Sequence, residues 1–239
     1  MEKNILQQIF DLLAHERDEL REDLSDLSVN EKKIKVGDIG CGWGSITLCL
    51  MLELSQAECL GIDKFDPNDP PNLDLRFSFE IDNVRAVSNA IIENLKSESI
   101  HAQDSELLDA FQESVIRNGR FPKFHRGNIV TGEHLFPAFD QYFDLIYCKR
   151  VLFNLYNNGD GVDDLNKAIY HIANALKPKG VFCFVEVNTW GNSPSLEDSL
   201  RRVGFIFLPP RKIVRSFDSV LGNYQSEYLI YQCQKTDVE

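Results

Sequence analysis

The chain has 239 residues, of which 43% are hydrophobic, 26% charged and 10% aromatic, and its 37 acidic against 25 basic side chains leave a formal net charge of -12. That apolar and aromatic content supports one folded domain with a sizeable core and argues against a disordered chain. The acidity argues against general nucleic-acid binding, leaving room only for a local basic patch, and no apolar run approaches the ~20 residues of a helical membrane span.

The opening Met1-Glu2-Lys3-Asn4 leads into a mixed segment without a secretory apolar core, so a cytoplasmic protein is expected. From Asn4 to Leu27, apolar residues at Ile5, Ile9, Leu12, Leu13, Leu20, Leu24 and Leu27 follow mostly helical spacing, which predicts a helical segment over residues 1–30. The character then changes. Ile34 to Ile39 reads as a buried strand running into a glycine-rich turn, Ile46 to Leu52 as a packed helix, and Glu58 to Asp63 as a second strand ending on an acid. Pro67, Pro70 and Pro71 break the chain after it.

Residues 65–123 hold two helical patterns, Ile81/Val84/Val87/Ile91/Leu95 and Leu107/Leu108/Phe111/Val115, and no strong strand. An interval of that length exceeds the usual connection in an alternating sheet, so it reads as a helical insertion, expected to lie over the carboxyl edge of the sheet as part of the acceptor pocket, with an oligomer interface as the alternative. Alternation resumes with Phe124-His125-Arg126, then the strand Phe143 to Cys148, then a helix carrying Leu165, Ala168, Ile169, Ile172 and Leu176. Lys177-Pro178-Lys179-Gly180 ends that helix and leads into Val181 to Val185, a continuous apolar run of the kind a central parallel strand needs. Gly204 to Leu208 and Glu227 to Cys233 add two terminal strands without a clear helix between them. Strands alternating with helices predict an α/β parallel sheet, closed at its end by an antiparallel pair.

The six cysteines Cys41, Cys49, Cys59, Cys148, Cys183 and Cys233 are scattered, mostly within apolar runs, and none pairs with another cysteine or a histidine at metal-ligand spacing. Structural thiols and no metal are expected. The histidines do not cluster in sequence, although one of them can still meet a site in space.

Chemistry concentrates in Asp38-Ile39-Gly40-Cys41-Gly42-Trp43-Gly44, between a predicted strand and a predicted helix, with Asp63 ending the next strand. Glycines there let backbone amides approach a ligand at the carboxyl edge of the sheet. A dinucleotide site needs G-x-G-x-x-G, with the pyrophosphate over the helix N-terminus. Here the third glycine comes one residue early, Ser45 stands in its place, and Asp38 would repel a pyrophosphate. A cofactor with a cationic or zwitterionic end suits Asp38, and Asp63 offers two acceptor oxygens to a ribose diol. Read alone, the glycines also fit a simple tight turn, Asp63 a solvated strand end, and Trp43 either a cofactor cover or a core side chain.

On these residues the chain resembles the class I S-adenosylmethionine-dependent methyltransferases, whose first motif is an acid followed by G-x-G-x-G. The resemblance extends over most of residues 34–233 apart from the inserted helices. Asp38 to Gly44 matches the first motif and Asp63 the ribose-binding acid. Arg126-Gly127-Asn128-Ile129 matches the adenine-binding segment, Phe143 to Cys148 the fourth strand beneath the cofactor, and Leu176-Lys177-Pro178-Lys179-Gly180 the L-x-P-x-G turn. It implies a Rossmann-like, doubly wound seven-stranded sheet in residues 31–239, mostly parallel with an antiparallel terminal hairpin and helices on both faces. It also implies S-adenosyl-L-methionine as cofactor, held by Asp38, Gly40, Cys41, Gly42, Gly44, Asp63, Asn128, Ile129 and Cys148. Asn128 stands where the family commonly has Asp. Its carbonyl oxygen is expected to accept from the adenine amino group, and the alternative is a plain turn residue.

Methyl transfer from a sulfonium is an in-line displacement, and a base is needed only for a protonated acceptor. Lys149, Arg150, Asn154, Tyr156, Glu186, Asn188 and Trp190 follow or end the fourth and fifth strands. Glu186 is the first candidate for a base or acceptor-orienting group, since burial at the end of an apolar strand raises its pKa. The alternative is a carboxylate in a structural ion pair. Arg150, with Lys149, is the candidate for gripping an anionic acceptor. A small-molecule acceptor with an oxygen or nitrogen nucleophile is expected ahead of RNA or protein. Two other readings stay open. Asn154-Leu155, Gly159-Asp160 and Glu186 to Trp190 are loosely similar to RNA 5'-phosphate-capping methyltransferases, in which Lys149, Arg150 and Arg126 would clamp a phosphate. The other is a methyltransferase-like binding domain without catalysis.

Overall fold

The computed structural model describes residues 5–27, 33–42, 44–64, 105–135, 137–158, 161–188, 194–207, 209–219 and 222–236. In chain order its elements are α1 (Ile5–Leu24), β1 (Lys35–Ile39), α2 (Ser45–Glu53), β2 (Glu58–Asp63), α3 (Ser105–Phe111) with a π-helical continuation at Gln112–Arg117, and β3 (Lys123–Arg126). Then come β4 (Phe143–Lys149), α4 (Val151–Asn158), α5 (Val162–Ala175), β5 (Leu176–Val187), α6 (Pro194–Arg202), β6 (Phe205–Phe207), β7 (Arg211–Ser219) and β8 (Gly222–Lys235). Contacts divide the chain into two compact units, Met1–Ile34 with Cys41–Arg126, and Lys35–Gly40 with Gly127–Glu239.

In the first unit β2 and β3 pair in parallel, with Leu60 opposite Lys123 and Asp63 opposite Arg126. Helix α2 is apolar nearly all round and is buried from Thr47 to Leu52, as expected of a helix inside a core. The amphipathic α1 buries Phe10, Leu13 and Leu20, and its buried Arg17 pairs with Glu53 of α2. Arg21 bridges Glu53 at 2.8 Å and Glu106 of α3 at 2.9 Å. Arg120 donates to the carbonyls of Leu54 and Ala57, at 3.3 and 2.8 Å, in the turn that enters β2. The described end of the insertion therefore lies against α1 and the amino end of β2, not at the carboxyl edge where a cover was expected. Its first helical pattern, from Ile81 to Leu95, lies outside the described residues.

The second unit carries the strand order β1-β4-β5-β8-β6, with β7 paired to β8. β1, β4 and β5 are parallel, while β8 runs antiparallel to β5, β6 and β7. Phe182, Phe184 and Tyr231 are fully buried, and the rings of Phe184 and Tyr231 stack at 4.7 Å and 4°. Helix α5 buries Leu165, Ala168, Ile169 and Ile172, the face its 3.6-residue periodicity predicts. The expected turn at Lys177–Gly180 is an irregularity inside β5, where the register with β4 shifts between Phe143 and Leu145.

The described residues hold eight strands, close to the seven expected. The additional one is β7, whose Arg211-Lys212-Ile213-Val214-Arg215 core lacks an apolar run. Pro209-Pro210 separates it from β6, since proline cannot donate to a ladder, and both strands pair with the same partner, β8. All six cysteines are buried thiols. Among the described residues no helix is long and apolar enough to cross a membrane.

Candidate active site

The glycine loop has the backbone its composition predicts. Gly40, Gly42 and Gly44 have φ of 73°, 53° and 91°, a region that L side chains enter only at a cost. At Gly40 a Cβ would also come within 2.3 Å of Val151, so no side chain fits between β1 and the start of α4. At Gly42 no atom of the described residues beyond its chain neighbours lies within 4 Å of where a Cβ would stand. Cys41 donates to the carbonyl of Ile62 at 3.3 Å, and Gly44 to that of Cys41 at 2.8 Å, before α2 begins. Asp63 accepts the backbone N–H of Gly42 on Oδ2 at 3.0 Å. The two residues that the spacing singled out thus meet directly, and Asp63 also holds the loop in shape.

In the second unit, Asp38, Cys148 and Glu186 occur at or near the carboxyl ends of three adjacent parallel strands, all of them buried. Burial, then the negative charges of Glu186 and Asp38, push the Cys148 thiol well up. It stays protonated and is no nucleophile. Glu186 is fully buried, and its Oε1 accepts the N–H groups of Leu152 at 3.0 Å and Phe153 at 3.4 Å. It therefore caps the first turn of α4, which follows β4 through Arg150 in a left-handed conformation, φ 61°. Its Oε2 has no hydrogen-bond partner among the described residues. Desolvation raises the pKa to about 8, against the opposing pull of the two helix N–H groups and the Arg150 charge. The partner expected of Glu186 as a structural residue was a cation, and it is a helix terminus instead.

Arg150 reaches β8. Its Nη2 donates to the hydroxyl of Tyr228, and its guanidinium carbon lies 4.8 Å from the Tyr228 ring centroid. The buried Arg215 of β7 approaches the same ring at 5.6 Å. With Tyr228 opposite Val187 at the end of β5, and Arg215 opposite Ser226, the β7–β8 ribbon extends past the carboxyl end of β5. Neither Tyr228 nor Arg215 was among the sequence candidates: Arg215 lies on β7, which was not foreseen, and Tyr228 lies on a foreseen strand whose approach to Arg150 is set by tertiary pairing. Asn188 donates to Glu227 at 2.7 Å in the same ribbon. Trp43 and Trp190 lie outside the described residues.

Asn128 is held locally. Its Oδ1 accepts the N–H groups of Val130 at 2.9 Å and Thr131 at 3.3 Å, closing an Asx turn, the turn role that was the alternative for this residue. That oxygen is thereby directed at the backbone of its own loop. Ile129 is buried, and its carbonyl meets Nδ1 of His171 on α5 at 2.7 Å.

A family model for a methyltransferase domain matches residues 12–219. The comparison with curated proteins finds no match. Among solved structures, an S-adenosylmethionine-dependent methyltransferase from Methanosarcina mazei is similar at a TM-score of 0.52 and 15% identity, over 87% of this chain and 94% of that one. An O-methyltransferase family protein from Burkholderia thailandensis is similar at 0.52 and 12% identity, over 96% and 59%. The magnesium protoporphyrin IX methyltransferase of Synechocystis, which carries bound S-adenosylmethionine, is similar at 0.51 and 14% identity, over 99% and 86%. At such identities the likeness establishes the Rossmann-like α/β fold. The family match covers most of the chain, and the chain belongs to the methyltransferase-domain family.

Proposed function

We propose that this protein methylates an oxygen or nitrogen nucleophile of a small-molecule acceptor. When bound, S-adenosylmethionine supplies the electrophilic methyl group. The residues present fit such a cofactor: among the described residues nothing crowds Gly42 where a Cβ would stand, and Asp63 orders the Gly42 amide. In this reading Gly40, Cys41, Gly42 and Gly44 admit the cofactor to the backbone, and Asp63 takes the ribose hydroxyls. Asp38 attracts the cationic amino acid end, and Cys148 lines the floor as a neutral thiol. Asn128 and Ile129 receive the adenine, Asn128 through its amide N–H group, with its oxygen retained in the turn.

The observation that supports the acceptor chemistry is Glu186 Oε2, a fully buried carboxyl oxygen at the end of β5 without a hydrogen-bond partner among the described residues. A group with a pKa of about 8 is matched to accept the proton a hydroxyl or ammonium acceptor must lose. Oε1 keeps the carboxyl oriented meanwhile by capping α4. The test is turnover in a pool of small molecules with labelled S-adenosylmethionine, followed by Glu186→Gln on whichever compound takes up label. Loss of about 100-fold in kcat is expected.

A second reading is favoured by Arg150 and Arg215 converging on Tyr228. Two guanidiniums and a phenol suit an anionic acceptor, including an RNA 5'-phosphate, whose oxygen needs no base. Retained activity in Glu186→Gln, lost in Arg150→Gln, would select it.

A further inference from the structure

We infer that His171 is the positioning residue of the cofactor's adenine subsite: from α5 it fixes the peptide between Ile129 and Val130, and through it the side chain of Asn128. The inference rests on the proposal that Asn128 and Ile129 receive the adenine. A carbonyl oxygen can only accept, so the 2.7 Å contact between His171 Nδ1 and Ile129 O places the imidazole proton on Nδ1. The N–H of the same peptide belongs to Val130 and donates to Asn128 Oδ1 at 2.9 Å. One peptide plane is thus tied at both ends, to His171 on its carbonyl side and to Asn128 on its amide side.

The remaining bonds close the segment on itself. Gly132 donates to the Asn128 carbonyl at 2.8 Å, and Asn128 donates to the Glu133 carbonyl at 3.1 Å. Gly132 has φ 74°, and a Cβ there would stand 2.9 Å from His171 Nε2 and 3.1 Å from Cε1. The imidazole therefore lies against the turn at Gly132 as well as at Ile129, which makes it a bracket across both limbs of a loop that has no regular secondary structure. Tyr170 packs edge-on against the same ring at 5.6 Å between centroids. Base recognition by a side-chain amide depends on its direction to within a few tenths of an ångström, and a turn held only by its own hydrogen bonds samples others.

His171→Phe keeps a ring against Gly132 and removes the donor, whereas His171→Asn places an amide N–H near Nδ1 and removes the ring. S-adenosylhomocysteine and its hypoxanthine analogue, S-inosylhomocysteine, are titrated calorimetrically into each, and thermal unfolding is recorded in parallel. They differ only on the base edge that the subsite reads. The wild type is expected to prefer the adenosyl form, His171→Asn to keep that preference within about threefold, and His171→Phe to lose at least tenfold of it while remaining folded. An unchanged preference in a folded His171→Phe would overturn the inference, as would equal loss in both variants. A general packing defect weakens both ligands alike and leaves their ratio intact, and that outcome also counts against it. Absence of wild-type binding to either ligand would overturn the adenine-subsite reading itself, and the inference with it.

Discussion

Replacing Glu186 by glutamine removes a buried ionisable group while leaving a carbonyl oxygen to cap α4, so it isolates the electrostatic term. In the unfolded chain the carboxyl ionises near its ordinary value of 4.5, and in the folded protein near 8. Between those values the unfolded chain has released a proton that the folded chain keeps, so stability falls as pH rises through the window and levels off above about 8. At about 1.4 kcal/mol per pKa unit, the difference amounts to about 5 kcal/mol, a large share of the stability of a domain of this size. The full figure applies because the side chain is wholly shielded from water. Urea unfolding from pH 5 to pH 9 measures it. The wild type should lose most of this amount across the range, and Glu186→Gln should lack that component and overtake it at alkaline pH. Parallel pH profiles for the two proteins would refute the burial argument. Glu186→Ala should show the same flattened pH profile, lowered at all pH values relative to Glu186→Gln by about 1–2 kcal/mol for the lost cap and by a further cavity penalty.

Gly40→Ala should destabilise by about 3 kcal/mol in denaturant titration, because a left-handed φ and the 2.3 Å approach to Val151 act together, and Gly40→Ala with Val151→Ala should recover part of the loss. Gly42→Ala meets no steric neighbour among the described residues, so it should cost about 1 kcal/mol in stability while weakening S-adenosylhomocysteine more than Gly40→Ala does when the two are titrated calorimetrically. Asp63→Ala should weaken the same ligand by roughly 1.5–3 kcal/mol, from the lost ribose contact and the released Gly42 amide, and unaltered calorimetric affinity would remove Asp63 from the site. Tyr228→Phe should leave unfolding within about 1 kcal/mol, since it removes one hydrogen bond to the exposed Arg150, and should raise KM if the arginine pair binds the acceptor.

The parts legible in the sequence were those encoded locally. A run such as Ile34 to Ile39 can bury both faces only as an inner strand, and three glycines after it announce a backbone that no other residue adopts cheaply. The acid spaced one strand further on marked Asp63, and the two regions do meet at Gly42. What escaped depended on pairs distant in the chain. β7 is held by its register with β8 and not by its own apolar content, so a strand carrying Arg211, Lys212 and Arg215 gave no signal by itself. Glu186 was visible as the end of an apolar strand, but its role as the cap of α4, 34 residues away, follows from how β4 and β5 lie side by side. For Asn128 the sequence left two roles open, and the backbone shows the turn role, since a short amide side chain can bond its own backbone. His171 carried no mark at all, being one polar residue at the margin of an amphipathic helix, and only packing set its ring against Ile129 and Gly132. Periodicity and turn chemistry are properties of neighbouring residues and are written in order along the chain, whereas a hydrogen bond between distant segments exists only once hydrophobic burial has brought their backbones together.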